Sequence, residues 1–332
     1  MKASPFEILG AIDIVSISAA SLILGAAGAW VVGKYARRIG LMDWPLRRSS
    51  HNDPTPKGGG IGIFVVFLSS SIYFGIPASF WLPIGILSLI AFMGDQRSLS
   101  PKLRLFIQLI ISTYIVIGNK NIPLNFLGNV ILTLFWIIFI MGTTNFYNFM
   151  DGINGIAGMT GIIGFSFLAV YIYFQYGHNH LSFLSASIAL SCFGFLPLNM
   201  PKARVFMGDI GSILLGCTFG SLIFLSTKSF LDFLCMVSFL FPFYADELTT
   251  MFIRIKDGEN LTKAHRRHLY QILANEKAIP HWRVSAAFGL GQMLVGFCAF
   301  YLKNYGSLAV FAFLFSSFAA FVFVSFYLRS RI

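Results

Sequence analysis

Long apolar runs alternate with polar breaks along the whole chain. A membrane-crossing helix needs about 20 mostly apolar residues. By that measure the sequence predicts eleven spans, at 8–32, 59–76, 79–93, 103–118, 126–142, 154–174, 180–198, 211–226, 230–245, 283–301 and 306–327. The third, fourth, eighth and ninth are the shortest. The breaks fall into two kinds. Those at 33–58, 94–102, 143–153, 199–210 and 246–282 are long and polar, whereas others, such as 75–79 and 303–307, are short. The long ones lie on alternate sides of successive spans, and therefore on one membrane face. The pattern predicts an all-α, polytopic integral membrane protein forming a single transmembrane domain over 1–332.

Composition agrees. Of 332 residues, 56% are hydrophobic and 11% charged, against about 25% charged in a soluble domain. The net charge of +11 acquires a meaning once it is located. Only Lys2, Lys120, Lys228 and Lys303 fall on the opposite face; the other 20 of 24 Lys and Arg lie in the long polar breaks, at their immediate edges (Arg104, Arg283) or at the C-terminus. Basic loops stay cytoplasmic, so the N-terminus is expected outside and the C-terminus inside. The charge then calls for no nucleic-acid partner. The first run is long and is followed, not preceded, by basic residues, which reads as an uncleaved span and not a signal peptide. Cys192, Cys217, Cys235 and Cys298 sit in apolar runs without paired spacing and read as small buried hydrophobes.

The candidate chemistry lies in the long breaks. The stretch Asn145-Phe-Tyr-Asn148-Phe-Met-Asp151-Gly-Ile-Asn154-Gly155 crowds carboxamides and a carboxylate between two apolar runs. Continued as a helix, it would carry Asn145, Asn148 and Asp151 on one broad face. Polar groups at a membrane boundary usually line a site, the alternative being helix capping. The loop from Asp43 to Gly60 offers Arg48, His51 and Lys57 as phosphate donors, with glycine N–H groups beside them; a positive-inside anchor is the alternative. Asp95 follows an apolar span. Asp209 begins another, between Gly208 and Gly211. His265 and His268 are i, i+3 neighbours that would share a helical face, and with Arg266 and Arg267 between them they form a candidate phosphate-binding surface. Two histidines without a nearby cysteine are too few for zinc. Asp95, Asp151 and Asp209 thus emerge at one face beside basic groups. Such carboxylates can hold Mg²⁺, with Mn²⁺ as substitute, against a diphosphate.

These motifs resemble those of the bacterial polyprenyl-phosphate N-acetylhexosamine-1-phosphate transferases, glycosyltransferase family 4, and most closely the enzymes that begin O-antigen or other surface-glycan synthesis. The resemblance is carried by residues 45–60, by Asn145–Gly155, by Phe206-Met-Gly-Asp209-Ile-Gly-Ser212 and by Ala264-His-Arg-Arg-His268-Leu-Tyr-Gln271. It implies ten or eleven spans in the bacterial inner membrane and an active site on the cytoplasmic face. The implied reaction passes a sugar phosphate from a UDP-N-acetylhexosamine to undecaprenyl phosphate, releasing UMP with the help of Mg²⁺; a homodimer is compatible with it. By motif position Asp209 matches the metal aspartate. Asn145, Asn148 and Asp151 match the nucleotide-site cluster, Phe206 a ring against uracil, and His265 and His268 a loop near the phosphates. Two departures stand out. The family carries two adjacent aspartates where this chain reads Gly94-Asp95, and Asn154 replaces a common aspartate. Gly94 opens a second reading, a silent relative that binds nucleotide sugar or lipid. A third, a lipid-linked-glycan transporter, would place polar groups within the spans.

Overall fold

The computed structural model describes residues 11–45, 49–51, 53–96, 99–119, 126–177, 180–261 and 265–330. They form helices α1 (Ala11–Tyr35), α2 (Ile61–Tyr73), α3 (Ala78–Gln96), α4 (Pro101–Gly118), α5 (Phe126–Phe149), α6 (Ile156–Tyr176), α7 (His180–Asn199), α8 (Asp209–Ser226), α9 (Phe230–Ser238), α10 (Phe241–Lys256), α11 (Leu269–Asn275), α12 (His281–Leu302) and α13 (Ser307–Arg329), with short strands β1 (Met42–Asp43) and β2 (Thr55–Pro56). The all-α reading holds. Nine of the described helices are long and apolar enough to cross a membrane. The two predicted spans missing from that number have physical explanations. The second shortens to α2, with 13 residues. The ninth, 230–245, divides into α9 and α10 around Phe239 and Leu240.

Pro242, in the first turn of α10, is the cause of that break. It has no N–H to donate back and its ring obstructs the preceding turn. The carbonyl freed at Phe239 is taken by the side-chain amide of Gln292 on α12, at 2.6 Å, and the same nitrogen reaches Thr160 O on α6 at 3.1 Å. A polar side chain thus resatisfies backbone that cannot be left bare in hydrocarbon. Beyond the break α10 carries Asp246, Glu247 and Arg254 inside a helix, not in the loop expected over 246–282. The expected connection 143–153 changes as well: α5 continues to Phe149, so Asn145 and Asn148 are helical and only Asp151 lies past its end.

At the centre stands α8, whose buried residues run from Ile210 to Phe224 without interruption. Its Gly, Ser and Thr positions admit neighbours on all sides, and α3 and α5 flank it. At the other extreme, only 6% of the α13 span is buried, as befits a helix facing lipid.

The two ends of the site are joined by loop pairing. β1 and β2 pair antiparallel, Met42 with Pro56 and Asp43 with Thr55. Lys57 then bridges in parallel to Phe206. Gly59 and Gly60 N–H donate to the carbonyls of Phe206 and Met207, each at 2.9 Å. A Cβ on Gly60 would lie 2.5 Å from Gly211 Cα, so glycine is what lets this loop press on the start of α8. These two N–H groups, expected to face phosphate, are therefore engaged by backbone.

Candidate active site

Asp209 opens α8, in the first turn where a carboxylate complements the helix dipole. Three neighbours fix it. Asn148 Nδ2 donates to Asp209 Oδ1 at 3.0 Å and to Ser212 Oγ at 2.8 Å. Arg104 Nη1 donates to Asp209 Oδ2 at 2.5 Å. The backbone N–H of Asp209 donates to Asp95 Oδ2 at 2.9 Å. Asp95, at the end of α3, faces Lys57 Nζ with its other oxygen, 3.5 Å away. The structure therefore brings Asp95, Asp209, Asn148 and Lys57 into one cluster. Asn145, one turn back on α5, donates to Gln108 Oε1 at 2.6 Å and so joins α5 to α4.

Asp151 completes the acidic group. It is partly buried, and burial, reinforced by the charges of Asp209 and Asp95, pushes its carboxyl up to about 7. Because the folded value exceeds the ordinary 3.8, Asp151 favours the folded state most at low pH. That contribution is lost as pH rises through about 7. The expected result is a melting temperature in detergent that declines from pH 5.5 to 8.5. Asp151→Asn should flatten the decline, and an equal slope in that variant would assign it to other groups.

Phe206 lies against His51, ring centroids 4.9 Å apart and edge to face. His51 Nε2 stands 3.6 Å from Asp43 Oδ2 and is buried without a hydrogen-bond partner. Arg48 lies outside the described residues. On the far side, Asn154 is built into the scaffold: its N–H reaches His281 Nδ1 at 3.4 Å and its carbonyl accepts from Ser285 at 2.8 Å.

The histidine loop differs from expectation. Residues 265–267 are not helical, and His268 is the N-cap of α11. The two imidazoles nevertheless meet, with centroids 4.7 Å apart. Burial and the Arg254 charge hold His265 down at about 4. His268 is also pulled below its usual range, by burial and by His265, and its Nδ1 faces Glu247 Oε2 at 3.4 Å. Both are therefore neutral at pH 7 and offer hydrogen bonds, not charge. The arginines between them are engaged. Arg266 pairs with Glu276 at 2.7 Å, and Arg267 pairs with Asp257 at 2.6 Å and with Glu259. The loop is anchored from below by Asp246, whose carboxylate accepts from Leu269 N–H at 2.8 Å and Tyr270 N–H at 3.1 Å. Tyr270 in turn donates to Phe149 O at 2.8 Å, tying the loop to the end of α5.

Sequence reading missed Arg104, Gln108, Ser212 and Asp246 as members of these networks. Arg104 and Gln108 are i, i+4 on α4, directly after a helix start signalled by Ser100-Pro101. That is the one local cue. Among the described residues no group of three or more His, Cys, Asp or Glu has the geometry of a metal cage. A Mg²⁺ bound through one or two carboxylates plus substrate phosphate needs no such cage, and Asp209 and Asp95 supply hard oxygens of the right kind. The Asp151 carboxyl beside them is raised by burial first and by the charges of Asp209 and Asp95 second.

Comparison with known proteins identifies a family model and several relatives. The family model described as glycosyl transferase family 4 matches residues 77–227. A protein of Haemophilus influenzae described as undecaprenyl-phosphate alpha-N-acetylglucosaminyl 1-phosphate transferase is 32% identical over 264 residues, 73% of this chain and 74% of the relative. A protein of Thermotoga maritima with the same description is 28% identical over 280 residues, covering 80% and 84%. In Bacillus subtilis, a probable undecaprenyl-phosphate N-acetylglucosaminyl 1-phosphate transferase is 28% identical over 201 residues, 56% of this chain and 55% of the relative's length.

Proposed function

The chain belongs to the polyprenyl-phosphate N-acetylhexosamine-1-phosphate transferases, and from that membership we propose that it transfers an N-acetylhexosamine 1-phosphate from a UDP-sugar to undecaprenyl phosphate. The transfer would begin a lipid-linked cell-surface glycan, O-antigen among the candidates. The observation that carries this reading is the Asp95–Asp209–Asn148 cluster with Lys57 and Arg104 beside it. It brings together oxygen ligands and cations where a soluble diphosphate and a lipid phosphate can meet.

In the proposed reaction a phosphate oxygen of the acceptor attacks the sugar-bearing phosphorus of the donor. The pyrophosphate oxygen bridge breaks and UMP leaves. A Mg²⁺ held by Asp209 and Asp95 would neutralise charge on the diphosphate. Asn148 holds Asp209 in place for that task, and Lys57 lies across Asp95 to take up negative charge. Phe206 and His51 present a ring pair suited to a pyrimidine base. Neutral His265 and His268 would contribute N–H donors to phosphate oxygens. The relatives' descriptions make UDP-N-acetylglucosamine the first donor to test.

One assay separates this reading from a silent binding relative and from a transporter. Inverted membranes receive labelled UDP-N-acetylhexosamines and undecaprenyl phosphate, and UMP and lipid-linked sugar are scored. Transfer supports the enzyme. Donor binding without UMP release would favour the silent relative.

The basic asymmetry supports a cytoplasmic position for this face, in a bacterial inner membrane. Cysteines substituted at the exposed Lys202 and Lys256 are expected to resist an impermeant maleimide in intact cells and to react after permeabilisation. A cysteine at Lys303 should react in both. Reaction at position 202 in intact cells would reverse the topology.

A further inference from the structure

Arg104 ion-pairs with the carboxylate that the proposed chemistry needs for a cation, and it does so across 105 residues of sequence. The reason lies at position 94. A Cβ there would sit 3.5 Å from Arg104 Nη2 and 3.1 Å from Leu99 Cδ1. A longer polar side chain at 94 would therefore compete for the guanidinium. With glycine no competitor exists, and Arg104 goes wholly to Asp209. Lys57 on Asp95 is a different case: at 3.5 Å it is a looser partner, and the other Asp95 oxygen serves backbone.

Arg104 also borders a cavity. Leu87, Ile90, Ile107 and Ile213 line it together with Leu99, Gln108, Arg104 and Asp209. One wall is apolar, from α3, α4 and α8, and at its polar end are a guanidinium and a carboxylate. The enclosed space is only about 20 Å³, so it would admit no more than the end of an acceptor lipid: an anionic head against Arg104, with the isoprenoid stem lying outside along the apolar lip. The head would face an acidic pair unless the carboxylates were neutralised by something other than Arg104.

We propose that Arg104 is a positioning residue that exchanges partners: it caps Asp209 in the resting site, gives that carboxylate up to a divalent cation, and then holds the phosphate of the acceptor lipid. Gly94 permits this by placing no acceptor of its own beside the guanidinium. The inference rests on the transferase reading for the nature of the acceptor. It does not rest on that reading for the contest at Asp209.

The test uses the full-length chain in detergent with Mn²⁺ as probe, read by electron paramagnetic resonance of the free ion. Arg104→Gln should tighten Mn²⁺ binding by about tenfold, as loss of a charge-assisted competitor predicts. Gly94→Asn adds an acceptor beside Arg104 without adding charge, and should tighten it by a smaller factor. A second arm compares undecaprenyl phosphate with undecaprenol in the presence of Mn²⁺. Arg104→Gln should cut the preference for the phosphorylated lipid by about tenfold. Mn²⁺ affinity unchanged or weakened in Arg104→Gln, at an unshifted melting temperature, would make Arg104 a structural tie and overturn the exchange. An unchanged lipid preference would overturn its second half. If Arg104→Gln shows both effects while the wild-type chain releases no UMP, the exchange stands and the transferase reading falls.

Discussion

Asparagine in place of Asp209 should reduce sugar-phosphate transfer by roughly 10²–10³-fold or more, the scale seen when one electrostatic contact to a transition state is removed. The substitution is nearly isosteric. Asn148 can still donate to the remaining carbonyl oxygen, and the α8 N-terminus keeps its contact from Asp209 N–H to Asp95. What disappears is the charge, and with it the partner of Arg104 and the proposed ligand for Mg²⁺. The protein should remain in the membrane fraction and elute as one peak in detergent. Turnover at the wild-type rate with the wild-type Mg²⁺ dependence would end the assignment of Asp209 as a metal ligand.

The second large effect is expected at Asp95, in contrast with its neighbour. Asp95→Asn should lower transfer by about 10²-fold or more, whereas Gly94→Asp should raise it by no more than a few-fold. Asp95 bonds the first N–H of α8 and faces Lys57, so its charge organises two elements. A carboxylate at 94 would be worth much only as a base for the acceptor. A phosphate monoester has a second pKa of about 6 and is mostly dianionic at pH 7. A general base contributes about 10²–10⁴-fold where a proton moves in the transition state, and here little proton needs to move. The native chain is accordingly expected to be active. A native chain inert toward every UDP-N-acetylhexosamine, restored to robust turnover by Gly94→Asp, would show that a base is essential. It would also make the natural chain a binding relative.

These contrasts show which information is local. The apolar runs yielded the helices because burial in lipid is a one-dimensional demand on composition. Asp95, Asp151 and Asp209 could be picked out because charge at a membrane boundary is expensive wherever it occurs. Asn145 and Asn148 share a helix face as their spacing requires. The helix break was also written locally, in Pro242, but the surrounding run is apolar enough to hide it. Arg104 could not be distinguished in advance from Lys102 or Arg97, since the pairing that matters is with a residue 105 positions away. The engagement of Gly59 and Gly60 N–H likewise depends on the loop before α8, which no period in the sequence announces. Arg266 and Arg267 looked available for phosphate because their partners, Glu276, Asp257 and Glu259, are set by how one loop folds over itself.

Arg329 gives this last loop an order of assembly. It sits in the final turn of α13, donates to Arg267 O at 2.6 Å and to Thr250 Oγ1 at 3.2 Å, and lies 3.8 Å from Asp246. Membrane helices enter the bilayer in sequence as the ribosome delivers them. The clustered carboxylates, drawn from α3, the α5–α6 turn and α8, can therefore meet while the last two spans are still to come. The histidine loop by then has its anchors to Asp246 on α10 and to Phe149 on α5, but its last clasp, from Arg329, arrives only with the thirteenth helix. A chain cut before Ser307 should insert and gather Asp95 with Asp209, but leave residues 265–268 open to protease. Maturation of this site then proceeds from its acidic side toward its histidine side, and a nascent chain cannot complete the histidine loop before its membrane embedding is finished.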